Sequence, residues 1–442
     1  MDNLLAARAL MGVSLGFHII YATIGVGLPL MLMLAEGISL RTDDDSYHTM
    51  ARSWIRPAGV LFAIGAVSGT ILSFELGLLW PRFMELSGPL IGFPFWLEGY
   101  AFFLEAIFLG LYAYGGTRLS RQGLFLCTIP LTLAAAASAV LVISANAWMN
   151  TPAGFQLEAG RMVDIVPLAA LANPAWLHQA VHGTFAAYTA TGFSMAGIYA
   201  LALLRGETPS YGEKALSLSL AVGSLGLLAM LISGDLSASF LARHEKAKLA
   251  AAEAHFETRS GAPLIIGGWP DPDTGQVHFG IEIPKLLSLL AFHNPEAVVT
   301  GLDAFRPDEI PDPRLVHPFF DLMVAAGSLM TVVAAWFWCR RWRTGEVPVH
   351  RNLLRSLVIA GPFGMIALES GWLVTEFGRQ PWIIHGVMRV KDGVTPNPGM
   401  GIVFTIFIFV YAVLTIGLLQ RLLRSPASIP DEATREEPFG DA

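Results

Sequence analysis

The sequence predicts an all-α membrane protein, a polytopic bundle of about nine transmembrane helices. Its 442 residues are 54% hydrophobic and only 14% charged, whereas soluble domains carry about a quarter charged residues. Nine apolar stretches are each long enough to cross a hydrocarbon core, which needs about 20 helical residues. Ionisable and metal-capable side chains inside these stretches gather toward one membrane face, which indicates a site built within the bundle.

The nine stretches set the predicted organisation of the chain. They cover residues 9–35, 54–80, 95–117, 124–148, 180–204, 215–236, 319–343, 352–376 and 400–424. Pro29, Pro130 and Pro362 predict kinks, because proline cannot donate a helix hydrogen bond. The predicted parts are residues 1–236 with six helices, 237–318 with a long loop, 319–424 with three helices, and 425–442 with a disordered tail.

Lys and Arg are spread unevenly over the two sides of the predicted bundle. Fourteen of them fall in or beside short loops on one side and six on the other. The positive-inside rule makes the richer side cytoplasmic, so the N-terminus and the long loop are outside and the C-terminus is cytoplasmic. The N-terminus lacks a basic flank and a small-residue cleavage site, so its first apolar run is expected to remain as a span.

The long external loop begins with a strong helix former of mixed charge, residues 242–257. Turns rich in Gly and Pro follow, such as residues 267–273. A structured loop of this length in a compact membrane protein is more often functional than idle.

Seven side chains inside or beside the spans form the candidate site. They are His18, Glu98, Glu105, His182, Met323, Glu369 and Glu376. At ~1.5 Å per residue, His18 lies roughly 13 Å deep. Glu98 is predicted near the outer start of the third span, and Glu105 lies two turns below it on the same face. The topology thus brings the set into the outer half of one bundle.

Haem chemistry would explain this mixture of side chains. A histidine and a methionine on separate helices, such as His182 and Met323, suit axial ligation of a low-spin haem. A lone histidine or carboxylate could hold another haem iron with an open position for O₂. Glu98 and Glu105 are spaced for a proton relay along one helix face.

Simpler structural roles remain open for several of these residues. A histidine inside a span is more often a hydrogen-bonding helix contact than a ligand, and a methionine is usually core filler. His178 lies one turn before His182 on the same face, so it could be the ligand instead, or an outer cap. Carboxylates inside spans are harder to explain by structure alone.

Composition also argues against some classes of protein. No basic stripe or known motif indicates nucleic-acid binding. Cys127 and Cys339 are far apart in sequence and form neither a disulfide framework nor a CxxC metal site. A proton-coupled secondary transporter would explain the buried glutamates, and a membrane anchor carrying only low-spin haem would explain His182 with Met323. Both stay as alternatives.

The end of the eighth span is the most specific pattern in the chain. It reads Glu369-Ser-Gly-Trp-Leu-Val-Thr-Glu-Phe-Gly-Arg-Gln-Pro-Trp382, which resembles the signature of subunit I of the cytochrome bd-type quinol oxidases. Further matches are Phe17-His18, Leu97 to Glu105, Ala145 to Pro152, Val181-His182, Lys248 to Glu253 and Met323 to Gly327. The resemblance implies the haem-containing subunit I of a terminal oxidase in a bacterial cytoplasmic (inner) membrane. Such an enzyme oxidises quinol outside and reduces O₂ to water with cytoplasmic protons, without pumping.

The resemblance also implies the ligands of three haems. His182 and Met323 would be the axial ligands of a low-spin haem b. His18 and Glu376 would ligate two high-spin haems, one a haem b and the other a haem d or a further haem b. The partners implied are subunit II, membrane quinol and O₂, with room for small accessory subunits.

Further matching positions would serve protons, quinol and haem packing. They are Glu98 and Glu105 for protons, Lys248 and Glu253 for quinol in the external Q-loop, and Trp372 and Arg379 beside the haems. Arg379 could instead cap carbonyls at a helix end. The loop is compact, as in the branch that includes cyanide-insensitive oxidases. Asp321 stands where some members have a basic residue.

Overall fold

The computed structural model describes residues 2–207 and 209–424, so the predicted tail 425–442 lies outside the described residues. The helices are α1 (Asn3–Thr42), α2 (Asp45–Leu79), α3 (Pro81–Tyr114), α4 (Arg121–Asn150), α5 (Pro167–Leu171), α6 (Trp176–Arg205), α7 (Gly212–His244), α8 (Lys246–Ala252), α9 (Leu286–Phe292), α10 (Pro313–Thr344), α11 (Arg351–Ala360), α12 (Phe363–Phe377), α13 (Val390–Gly393) and α14 (Met400–Arg424).

Short strands occur in the loops between the long helices. They are β1 (Gln156–Glu158), β2 (Arg161–Val163), β3 (Arg259–Ser260), β4 (Leu264–Ile266), β5 (Trp269–Asp271), β6 (Gln276–His278), β7 (Ile281–Ile283), β8 (Val298–Val299), β9 (Trp382–Ile384) and β10 (Met388–Arg389). They form antiparallel pairs, β1 with β2, β3 with β8, β4 with β7, β5 with β6 and β9 with β10.

Nine helical segments in the described part of the chain are long and apolar enough to cross a membrane. They are α1 to α4, α6, α7, α10, α11 together with α12, and α14. The predicted all-α fold class and the predicted number of spans are therefore confirmed. Most of the helices are longer than the apolar stretches that identified them, because a helix continues past the hydrocarbon core wherever neighbouring elements pack against it.

Local sequence signals begin several of the helices. The side chains of Asp44 and Ser120 accept hydrogen bonds from backbone N–H groups at the starts of α2 and α4, and Asp312 does the same for α10. Of the predicted kinks, Pro362 coincides with the break between α11 and α12. Pro29 lies inside the uninterrupted helix α1, as Pro130 lies inside α4.

Helix α1 is packed between several others and contacts α2, α4, α6 and α14. Glycines allow helices to approach closely where the site is built. A Cβ on Gly197 of α6 would lie 3.0 Å from the Cα of Gly361, the residue that follows α11. This close approach brings α6, which carries His182, against the eighth span, which carries Glu369 and Glu376.

The helix-forming segment at the start of the external loop, residues 242–257, is helical in two separate pieces. Helix α7 runs on to His244, the chain turns at Glu245, and the short helix α8 follows. Leu249, Ala250 and Ala251 of α8 are buried. The turn folds this apolar face onto the protein, which shows tertiary packing prevailing over intrinsic helix propensity.

Candidate active site

Two of the predicted ligands, His18 and His182, are held by serines of neighbouring helices. His18 Nδ1 lies 3.0 Å from Ser68 Oγ, and His182 Nδ1 lies 2.9 Å from Ser233 Oγ. Each serine hydroxyl donates to a carbonyl of its own helix, Ser68 to Ile64 and Ser233 to Met230. With the hydroxyl hydrogen on that carbonyl, the serine oxygen accepts from Nδ1–H.

This arrangement leaves the lone pair of each imidazole on Nε2. A metal-bound histidine almost always donates its other ring N–H to a nearby acceptor, which sets the tautomer and the ring orientation. Gly69 makes room for one of these rings, since a Cβ there would lie 3.0 Å from His18 Cε1. Both histidines are thus oriented as iron ligands would be.

His178 has a different environment from His182. Its ring packs edge-on against Phe240, with centroids 4.2 Å apart, and both ring nitrogens are buried without a partner among the described residues. No acceptor fixes its tautomer. The serine-oriented His182 therefore suits the ligand role better than His178.

Met323 lies in a small cavity between α6, α7, α10 and α12. The wall is formed largely by small or flexible side chains, among them Ala186, Gly327 and Gly364. A Cβ on Gly371 would lie 3.1 Å from Met323 Sδ, so glycine is needed opposite the sulfur. His182 is one turn from Ala186 on α6, which puts the predicted histidine and methionine beside the same interhelical space.

Glu98 and Glu105 lie on one face of α3, as their spacing predicts. Glu98 Oε1 accepts a hydrogen bond of 2.8 Å from Ser138 of α4. Glu105 is buried, and its Oε1 faces Gly25 of α1. The prediction that Glu98 is near the outer start of its helix was wrong, because α3 already begins at Pro81. The prolines and charges of residues 81–94 lower the hydropathy there without ending the helix.

Glu376 and Arg379 form a pair at the end of α12. Glu376 Oε2 accepts from Arg379 Nη2 at 2.6 Å, and Glu376 Oε1 accepts from Asn146 Nδ2 at 2.5 Å. The Arg379 side chain is only 4% exposed. It donates to this carboxylate, which argues against the alternative role as a cap of helix carbonyls.

Glu369 and Trp372 precede Glu376 on α12 and lie closer to the middle of the bundle. Glu369 Oε2 faces Gly16 of α1, and its Oε1 is buried without a partner among the described residues. Trp372 and Ile19 of α1 both pack against the buried cluster of Ala186, Ala190 and Leu368. Residue 19 follows the predicted ligand His18, so α12 reaches the neighbourhood of both histidines.

The residues around the predicted ligands fit haem groups. Arg379 has two buried donors, Nε and Nη1, without partners among the described residues, and these would suit the carboxylate of a haem propionate. In the part of the chain that the structure covers, no three His, Cys, Asp or Glu side chains lie together as ligands of a bare metal ion. A porphyrin supplies four ligands itself, so its iron needs only one or two from the protein.

The predicted quinol residues lie on the short helix α8 and face different neighbours. Lys248 is buried, and its Nζ donates to Glu245 and, at 2.5 Å, to Asn150 Oδ1. Its side chain crosses Gly378, where a Cβ would lie 2.6 Å from Lys248 Cγ. The structure thus brings Lys248 next to the Glu376–Arg379 pair.

Glu253 is also buried, and its Oε2 has no partner among the described residues. Burial and, secondarily, the nearby carboxylate of Asp321 raise the pKa of Glu253 to about 8. A carboxyl with this pKa can take up and release protons near neutral pH, as a general base for quinol oxidation must.

Glu75 and His317 are among the buried groups that sequence reasoning missed. Glu75 of α2 is 1% exposed, accepts 2.8 Å from Ser14 of α1, and is linked through that serine to Tyr411 of α14. It could have been found, since it is a carboxylate within the predicted second span. His317 is fully buried beside α8 and lies 2.8 Å from Ala252 O, and nothing in the sequence marks it.

Comparisons with known proteins agree with the geometry. A family model described as "Cytochrome bd terminal oxidase subunit I" matches residues 6–428. The chain is 40% identical over 429 residues to a Bacillus subtilis (strain 168) protein named "Putative cytochrome bd menaquinol oxidase subunit I", with 96% of each covered. It is 25% identical to the cytochrome bd-II ubiquinol oxidase subunit 1 of Escherichia coli (strain K12), over 95% of this chain and 96% of that one.

A solved structure is similar over nearly the whole chain. The bd oxidase of Geobacillus thermodenitrificans matches with a TM-score of 0.91 and 41% sequence identity. The match covers 96% of this chain and 99% of that one. The similarity thus includes all nine spans and the external loop.

Proposed function

The chain belongs to the cytochrome bd terminal oxidase subunit I family and is a multi-pass quinol oxidase subunit of the bacterial inner membrane; from this premise we propose its cofactor sites and proton routes. In our proposal it works with subunit II, oxidises membrane quinol at the outer face and reduces O₂ to water with cytoplasmic protons. The serine-oriented His18 and His182, together with Glu376 and its buried partner Arg379, carry this proposal.

Three haem positions follow from the available ligands. His182 and Met323 would hold a low-spin haem b beside the cavity between α6, α7, α10 and α12. His18 and Glu376 would hold two high-spin haems, one a haem b and the other a haem d or a further haem b. When bound, these groups supply electron transfer and the binding and reduction of O₂.

The side chains around the haems would set their position and charge. Arg379 would bind a propionate with its two spare donors, and Trp372 would pack between the sites. Ser68 and Ser233 would keep both imidazoles in the tautomer that presents Nε2.

The quinol site would lie at α8, on the side predicted to be outside. Lys248 would direct a polar group of the quinol, and Glu253 would accept a proton from its hydroxyl as the ring is oxidised. That proton leaves on the outside. Lys248 lies close to Arg379, which would bind a haem propionate, so the distance for electron transfer from quinol to haem would be short.

Protons consumed by O₂ reduction would come from the cytoplasm through Glu105 and Glu98, with contributions from subunit II. Releasing protons outside and consuming them from inside separates charge without a pump, worth about 2.3 kcal/mol per charge at 100 mV. Small accessory subunits would fit on the apolar outer surface of the bundle. A proton-coupled transporter would not need two serine-oriented histidines.

Spectroscopy of the complex with subunit II tests the haem assignment. We expect a reduced-minus-oxidised spectrum with low-spin and high-spin haem, haem extracted by pyridine, and carbon monoxide binding to the reduced protein. Met323→Leu should remove the sixth ligand and the low-spin bands. Met330→Leu is the matched control, because Met330 lines the same cavity two turns away. An unchanged spectrum in Met323→Leu would move the ligand elsewhere, and a colourless complex would refute the proposal.

A further inference from the structure

A buried carboxylate lies at the opposite end of the bundle from the candidate site. Glu36 of α1 is 1% exposed. Its Oε1 accepts a hydrogen bond of 2.5 Å from the hydroxyl of Tyr112 on α3, and His48 Nδ1 of α2 lies 2.9 Å from its Oε2. Three helices therefore meet at one acid, on the face that the positive-inside rule predicts to be cytoplasmic.

The partners of Glu36 are unusual for a buried acid, because neither of them carries a permanent charge. Arg52, the nearest guanidinium on α2, donates instead to the carbonyls of Tyr112 and Ala113, at 2.7 and 3.1 Å. A carboxylate paired with arginine or lysine is held ionised. One that contacts a hydroxyl and an imidazole can gain and lose a proton.

Two further acids beside this cluster are paired with cations. Asp44 binds Lys214 of α7 and Asp45 binds Arg121 of α4, all on the partly exposed surface. His48 is 22% exposed and therefore connects Glu36 to water at this face. A proton can thus enter the cluster through the His48 imidazole, which has two ring nitrogens that can donate or accept.

On the other side of Glu36, helix α3 leads toward the candidate site. Tyr112, Glu105 and Glu98 are spaced seven residues apart, so they follow one face of α3 in steps of about 10 Å. Helix α1 runs alongside: Glu105 faces Gly25, and Glu36 lies three turns further along the same helix. The step from Tyr112 to Glu105 is too long for a direct hydrogen bond. In our proposal, hydrogen-bonded water bridges it, as water does between polar groups more than about 3.5 Å apart.

We propose that Glu36, with His48 and Tyr112, is a proton-uptake site for the oxidase reaction. A proton passes from water to His48, from the imidazolium to Glu36, and through the Tyr112 hydroxyl toward Glu105. Each proton that leaves toward Glu105 is replaced from water at His48, so the cluster returns to its starting state. The inference rests on the proposed function, because only O₂ reduction consumes these protons.

A purely structural role would be to tie α1, α2 and α3 together. Two variants separate the roles. Glu36→Gln keeps the size and an oxygen that can accept from Tyr112 but cannot cycle a proton. Tyr112→Phe removes only the hydroxyl. Glu213→Gln, an exposed carboxylate at the same end, and Tyr199→Phe, a buried tyrosine that accepts from Trp54 at 2.7 Å, are the matched controls.

The experiment uses the complex with subunit II and measures quinol-dependent oxygen consumption in H₂O and D₂O. Glu36→Gln should slow turnover roughly 100-fold, the usual size of a lost proton-transfer group. Tyr112→Phe should slow it about tenfold, as expected for one hydrogen bond. The solvent isotope effect should rise in both, and Glu36→Asp should recover part of the rate. Anaerobic reduction of the complex by quinol should stay unchanged.

Wild-type turnover and isotope effect in both variants would overturn the proposal. Slower turnover matched by an equal loss of haem content or of anaerobic reduction would also overturn it, in favour of the structural role. If the unaltered complex consumed no oxygen with quinol, the proposed function itself would fail. The two failures are therefore distinguishable.

Discussion

Buried carboxylates at the two ends of the bundle are bonded in different ways. At the end that holds the candidate site, Glu253 and Glu369 each leave one buried oxygen without a partner in the described structure, and Arg379 leaves two nitrogens. At the other end, both oxygens of Glu36 lie within hydrogen-bond distance of Tyr112 or His48. The acids Glu253 and Glu369 thus each keep an oxygen open, whereas both oxygens of Glu36 are bonded.

A buried polar atom without a partner costs about 1–3 kcal/mol, so a protein keeps such atoms only where something else binds them. Haem propionates and quinol are groups of the right chemistry for Arg379 and Glu253. At the Glu36 end the partners belong to the chain itself, which suits a group that only passes protons. In the proposed function, the open atoms of Arg379 and Glu253 therefore face ligands, whereas Glu36 is buried and fully bonded.

The largest effect should come from removing the buried guanidinium of Arg379. Arg379→Leu would leave the Glu376 carboxylate, whose side chain is 28% exposed, without its cation, which costs about 3 kcal/mol, the lower end of the range for a broken buried pair, or on the order of 100-fold in binding or activity. We expect loss of haem and of oxygen consumption. Haem content per complex and quinol-dependent oxygen uptake measure this.

Arg389→Leu is the control for that variant. Arg389 pairs with Asp308 in the same outer segment, but both side chains are partly exposed, at 24% and 46%. An exposed pair contributes roughly 0–1 kcal/mol, so haem content should be retained. Equal effects of the two substitutions would remove the distinction between paired and unpaired atoms on which the comparison depends.

Glu253 offers a pH test of the unpartnered end. Its pKa of about 8 means that the carboxyl is mostly protonated at pH 6 and becomes ionised as the pH rises. Only the ionised form accepts a proton, so quinol oxidation should accelerate up to about pH 8 and then level off. Glu253→Gln should lower the rate about 100-fold and abolish this rise. Rates of haem reduction by quinol from pH 5.5 to 9 measure this rise, because the measurements must cover about three pH units around the pKa.

The stability of the folded protein should fall with rising pH, whereas the rate of quinol oxidation should rise. The folded protein holds the Glu253 proton more tightly than the unfolded chain, whose carboxyl titrates near its model value of 4.5. Its contribution to stability is therefore complete below that value and is lost as the pH rises toward 8. The Glu253→Gln variant should not lose stability in this way as the pH rises. A variant with the unaltered pH profile of both rate and stability would exclude Glu253 as the proton acceptor.

Hydropathy alone predicted the fold class and the number of spans, because each span must bury a continuous apolar surface. It could not predict that α3 begins at Pro81, since residues 81–94 contain charges and prolines and are helical through packing on their neighbours. For the same reason it missed the turn at Glu245 that creates α8. Helix ends depend on tertiary contacts, which composition does not record.

The candidate site was predictable where a residue type is costly in hydrocarbon. His18, Glu105 and Glu376 stand out in apolar sequence for that reason. Ser68 and Ser233, which orient the histidines, do not, because serine is common in membrane helices and hydrogen-bonds to its own backbone at little cost. Their role becomes visible only when two helices are placed side by side.

The smallest effect should come from one of these serines, and it tests the oriented histidines within a single helix. Ser233→Ala removes the acceptor of His182 Nδ1–H, which should weaken haem retention about tenfold, the lower end of the range for such supporting groups. Ser237→Ala is the control one turn away, because its hydroxyl donates only to the Ser233 carbonyl. Low-spin haem content after gel filtration in detergent measures the difference. Equal haem loss in both variants would mean that the serine stabilises the helix rather than the imidazole. An effect in Ser233→Ala alone would show that the serine supports the imidazole. A ligand site would then need two kinds of group: atoms left open for the ligand, and fully bonded neighbours that hold those atoms in place.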